Sequence, residues 1–177
     1  MNRWLQSCIC AVLAAAAPDF WGAALAKTPW ARHEARVLGS IQGMGGSVTV
    51  DSEGSYSIAS PGIAGAVIRS DVEAVVDSRI LRSSAYPQHL VVQSDSRDDV
   101  GTGSTLTVTH TGLPGAPDLV CTLWLFRDRP WGEIEIKVQN DTNRAISVAS
   151  IHAVHATQAP VINLNGPESA DVIHLTG

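Results

Sequence analysis

Cysteine is nearly missing from this 177-residue chain, which holds only Cys8, Cys10 and Cys121. Two of the three fall in an N-terminal stretch that reads as a leader. One thiol would then remain, no internal disulfide can form, and the domain must hold itself together by burial. Charge is also sparse, at 16% of residues, and 12 lysines and arginines face 17 aspartates and glutamates. With no basic run, nothing here can track a phosphate backbone, which excludes nucleic acid as a partner. No apolar run reaches the roughly 20 residues a bilayer-spanning helix needs, so no membrane span is expected. Signature motifs are missing too. There is no HExxH, no GxSxG and no glycine loop to cradle phosphate, and no repeat or heptad.

What is present begins with an address label. Met1-Asn2-Arg3 makes a short basic start, residues 8–17 (CICAVLAAAA) an apolar run, and Ala24-Leu25-Ala26 the small-x-small pattern that a signal peptidase reads. The expected organisation is a signal peptide over residues 1–26, cleaved before Lys27, then a linker or edge strand over 27–45, then a β-sandwich domain over 46–177. The expected location is secreted or periplasmic.

The chain then reads as short strands separated by turns. Ile134, Ile136 and Val138 alternate with Glu133, Glu135, Lys137 and Gln139, a period of two that separates an apolar sheet face from a charged one. Residues 118–154 are expected to form three successive antiparallel strands over the turns RDRPWG and NDTNR. Within them, residues 119–126 are apolar on both sides: Leu119, Cys121, Leu123 and Leu125 on one, Val120, Thr122, Trp124 and Phe126 on the other. Such a strand is covered on both faces or meets a partner domain. Upstream, the glycines of GSIQGMGG read as a break. Residues 46–51 and 55–58 read as a hairpin, 66–69 and 73–76 as two short strands, 90–92 as another, and 94–103 as an acidic loop. Residues 104–111 place Leu106, Val108 and His110 on one face and threonines on the other. The implied fold class is all-β, an antiparallel β-sandwich.

Few residues offer chemistry. Asp95, Asp98 and Asp99 ahead of Gly101 are oxygen-rich enough for calcium but lack EF-hand spacing, so a solvated turn is preferred. His152 and His155 are three apart, which on a regular strand puts them on opposite faces, unable to share a metal. His110 reads as a hydrogen-bonded core histidine and Cys121 as a small buried hydrophobe. Asn140-Asp141-Thr142 matches a glycosylation sequon but also a hairpin turn, the preferred reading. Glu133 and Glu135 share an outward face with Lys137 and are explained as a solvated stripe. No catalytic residue, metal ligand or cofactor is therefore expected. The one candidate contact surface is aromatic. Trp131 follows Asp128, Arg129 and Pro130, and an indole beside charged hydrogen-bonding groups suits the CH-rich face of a sugar. Trp131, Arg129 and Asp128 are the candidate carbohydrate contacts, against a plainer role for Trp131 in stapling the hairpin or docking a neighbouring domain.

Phe126, Asp128-Arg129-Pro130, the run from Ile134 to Asn140 and Ile146-Ser147-Val148 carry a resemblance. Residues 90–154 resemble the N-terminal β-supersandwich domain (galactose-mutarotase-like) of secreted α-galactosidase-type, melibiase-like glycoside hydrolases. In that family the sandwich precedes a catalytic (β/α)8 barrel that bears both catalytic aspartates. No stretch of these 177 residues matches the barrel, so no catalytic residue is carried over. The resemblance implies a fragment or free-standing relative, inactive alone, that packs on such a barrel and helps shape its cleft. The alternatives are a stand-alone secreted carbohydrate-binding module and a protein-interaction sandwich.

Overall fold

Alternation and turn chemistry set the strands. In the computed structural model, which describes residues 7–13, 35–61, 68–97 and 101–155, these are β1 (Ser7–Leu13), β2 (Val37–Gly43), β3 (Gly46–Asp51), β4 (Tyr56–Ala59), β5 (Ile68–Val76) and β6 (Arg79–Arg82). A short 3-10 turn, Ser83–Ala85, leads to β7 (Gln88–Arg97), β8 (Thr102–Thr111), β9 (Asp118–Phe126), β10 (Trp131–Gln139) and β11 (Val148–His155). Turn residues match their tasks. Asp77 and Ser78 both take positive φ (49° and 64°), the conformation that closes a two-residue hairpin between β5 and β6. Asp51 Oδ1 accepts from the Glu53 and Ser55 amides at 2.9 and 3.1 Å, shaping the β3–β4 turn.

Two antiparallel sheets result, in the orders β1-β10-β9-β8-β7 and β11-β5-β4-β3-β2, with β6 added beside β5. The expected sandwich is what forms. Its core lies between the sheets, where Leu106, Leu119, Leu123 and Ile136 from one face Ile41, Val50 and Val72 from the other, all buried. Cys121 is buried among them, and desolvation pushes its thiol up to about 12, so it is a small hydrophobe and not a nucleophile.

Several local expectations are corrected. The third strand of the 118–154 meander does not stay beside β10. β11 crosses to the other sheet and pairs with β5. The cause is Asp77, whose carboxylate accepts from the Ser147 amide (2.8 Å) and Arg144 Nη1 (2.5 Å), drawing the connection after β10 over to the β5–β6 turn. Of the two short strands expected at 66–69 and 73–76, residues 66 and 67 lie outside the described residues and the rest meet in one strand, β5, because polar Ser70 and Asp71 in its middle are buried with partners instead of looping out. GSIQGMGG carries β2 and its turn where a break was expected. Its glycines serve close approach: a Cβ on Gly39 would lie 2.8 Å from Leu106 Cδ1 in the facing sheet, and one on Gly43 2.6 Å from the Phe126 carbonyl. The acidic loop is mostly strand. β7 extends through Arg97, and Asp98 and Asp99 lie outside the described residues.

Residues 7–13, part of the expected leader, lie as β1 along the edge of β10, from Ser7 opposite Lys137 to Leu13 opposite Trp131. No described helix is long and apolar enough to cross a membrane.

Candidate functional site

At one end of the sandwich the β9–β10 turn gathers the aromatic residues. Strand alternation aims Trp124 outward, and Phe126 ends the strand fully buried (0% exposed). Its ring stacks on Trp124 at 5.2 Å and tilts against Trp131 at 4.5 Å. The Arg129 guanidinium sits 5.8 Å from the Phe126 ring centre and 5.7 Å from that of Trp131, within cation–π range of both. Asp128 is exposed, with its carboxylate 4.0 Å from Arg129 Nε, a contact too long to fix either side chain. The turn is anchored on both flanks: the Met44 amide donates to the Phe126 carbonyl at 3.0 Å, and the Arg127 amide to Thr102 at 3.1 Å. The Arg127 guanidinium also pairs with Asp95. That ion pair, with Ser104 Oγ donating to the same carboxylate at 3.2 Å, is where Asp95 is spent.

All three candidate contacts thus share one surface, but each is engaged differently. Trp131 rests partly on Phe126 and Arg129. The recess beneath it, lined by Trp124, Trp131, Pro130 and Gly45, encloses only about 40 Å³, room for a few waters and not for a sugar ring. Any sugar contact here would therefore be stacking on an open surface. Trp124 Nε1 is buried without a hydrogen-bond partner among the described residues and packs on the Gly103 backbone, where a Cβ would stand 2.3 Å from it.

A second cluster escaped the sequence reading. Glu73 lies on the outward side of β5 with its side chain only 8% exposed. Arg82 Nε on β6 donates to it at 2.9 Å, and the Nδ1 atoms of His152 and His155 on β11 approach at 3.2 and 3.3 Å. Two histidines three apart meet one carboxylate because the β5–β11 register shifts between them, a bulge that re-aims the strand. The sequence signal was a failure of alternation at Ala153-Val154, where two apolar residues adjoin. Next to this group, buried Asp71 accepts from Ser55 Oγ at 2.5 Å and Ser84 Oγ at 2.6 Å.

Burial penalises the charge on Glu73, yet the hydrogen bonds from Arg82 and His152 and the fields of His155 and Arg82 outweigh it. The carboxyl is held below its usual range. Glu73 is thus an ionised, fully engaged clamp between β5, β6 and β11, not an acid poised to give up a proton. Among the described residues no group of three His, Cys, Asp or Glu could hold a metal ion. Glu135 pairs with Lys137 at 2.7 Å on the outward face of β10, as a charged stripe should.

His110 is 2% exposed, and its Nδ1 meets His89 Nδ1 at 2.9 Å, so one ring donates and the other accepts. Desolvation first, and then the neighbouring His89, depress His110 to about 3. Both rings are neutral at ordinary pH.

Compared with protein families, curated proteins and solved structures, the chain has no match in any of the three.

Proposed function

We propose that this chain is a non-catalytic, galactose-mutarotase-like β-sandwich domain of a secreted glycoside hydrolase acting on α-galactosides, which packs on a catalytic barrel and helps shape its substrate cleft. The observation that carries this reading is the outer face of β7, β8 and β9. Leu90 and Val92 stand side by side, 57% and 63% exposed, in rows with Thr109 and Val120 and with Thr107 and Thr122. A row of exposed aliphatic side chains among threonines is suited to contact with another protein surface. Glu73 and Glu135, meanwhile, are held in ion pairs. The resemblance over residues 90–154 supplies the substrate class.

The test is turnover of aryl-α-galactosides by the purified chain. The expected result is none above a blank, and clear turnover would end the claim that the domain is non-catalytic. A second reading, a carbohydrate-binding module, draws support from Trp131 beside Arg129 on the exposed hairpin. Glycan-array binding that is weakened by Trp131→Ala would favour it, and silence on every glycan would remove it.

A further inference from the structure

We propose that the outer edge of β10 is a homodimer interface, opened when the leader is removed, where β10 of a second copy adds antiparallel and joins the two remaining four-stranded sheets, β10-β9-β8-β7, into one. The proposal rests on the secretion reading. Residues 7–13 lie inside the expected leader, and β1 is the strand that occupies this edge among the described residues. Its pairing runs from Trp131 to Lys137, so the edge accepts an extended apolar segment over most of its length. Cleavage before Lys27 would strip that segment and leave the β10 edge without a neighbouring strand among the described residues, the template that edge strands present to another chain. β10 carries no proline and no inward charge to guard it.

The occupant follows from the sequence of β10 itself. Side chains alternate, so an antiparallel partner must pair residues of the same face. A two-fold axis through Ile136 places Ile136 opposite its own copy, Ile134 opposite Val138, Glu133 opposite Gln139 and Glu135 opposite Lys137. Each Glu135–Lys137 pair, already 2.7 Å apart within one strand, then meets its inverse across the edge, and four charges alternate in sign. The neighbouring register, centred on Glu135, sets two like charges directly opposite each other and is disfavoured. Self-complementarity of this kind is what an isologous interface requires.

The experiment measures mass by light scattering for the exported chain, after N-terminal sequencing. A chain that begins at Lys27 and runs at twice the monomer mass is expected, while the precursor that keeps residues 1–26 runs as a monomer. Lys137→Glu makes all four facing charges negative and Glu135→Lys makes them all positive, so each should weaken the dimer by about tenfold or more. The double swap, Glu135→Lys with Lys137→Glu, restores alternation and should restore the dimer, which mere loss of stability would not do. A Lys27-initiated chain that stays monomeric, or single reversals no weaker than the double swap, overturns the interface. An exported chain that begins at Met1 overturns the leader reading and the proposal with it.

Discussion

Acid should loosen this domain through its histidine pair before its carboxylates are protonated. His110 and His89 share one N–H···N contact of 2.9 Å in which one ring must accept. Protonating the accepting Nδ1 leaves two donors facing each other, and His110, 2% exposed, is shut away from solvent. Its pKa falls from 6.5 when solvated to about 3 when folded, with burial the larger cause and His89 the second. A depressed histidine binds its proton better in the unfolded chain. Stability is therefore complete above the unfolded value of 6.5 and is lost as pH falls towards about 3. From that shift the loss is on the order of 1 kcal/mol at pH 5.5 and a few kcal/mol at pH 4.5, a large share of a typical domain's ~5–15 kcal/mol. Urea titrations followed by tryptophan fluorescence at pH 7, 5.5 and 4.5 measure it, since a fall in midpoint at constant slope is a fall in stability. His110→Gln keeps a neutral hydrogen-bonding partner for His89 and removes the buried titration. The variant should be less stable at pH 7 but lose less on acidification, so the two curves converge. Parallel curves for wild type and variant would refute the reasoning, because the acid response would then belong to other groups.

Val138→Asp buries an unpaired carboxylate in the core and should cost several kcal/mol (about 3 or more), whereas Glu135→Gln on the other face of the same strand should stay within about 0.5 kcal/mol. Thermal or urea melts compare them, and equal effects would mean the faces of β10 are misassigned. Glu73→Gln should cost about 1–3 kcal/mol at pH 7, discounted because Arg82 and His152 are half-exposed. Glu73 is depressed in the folded state, so its contribution is present above the usual carboxylate range and fades as pH falls through the folded value; the gap between wild type and variant should close in acid, and a gap independent of pH would contradict an ionised Glu73.

The parts of this fold that could be read in advance are those whose reason is local. β10 declares itself through Ile134, Ile136 and Val138, and β8 through Leu106, Val108 and His110, because a half-buried strand repeats every two residues. Trp131, Arg129 and Asp128 were found together for the same reason: they are neighbours in the chain, and a tight turn keeps them so. The misreadings fall where a polar residue or a glycine has a distant partner. Ser70 and Asp71 looked like the end of a strand, yet hydroxyls of Ser55 and Ser84 and the backbone of His155 satisfy them inside β5. Asp77 carries no signal in the sequence pattern, yet its carboxylate accepts from Arg144 and Ser147 where β11 joins the opposite sheet. Gly39 looked like a breaker, yet it lets β2 approach Leu106. These errors share a cause with the missed cluster. A buried polar group is stable only if something far along the chain completes its hydrogen bonds, and no periodicity records which residue that is. Glu73, His152 and His155 became a site through the same long-range pairing of β5 with β11 that hid β5. The residues that spoil a sequence pattern are thus the ones whose partners are worth seeking first, since burying them at all requires an arrangement that the apolar core alone does not supply.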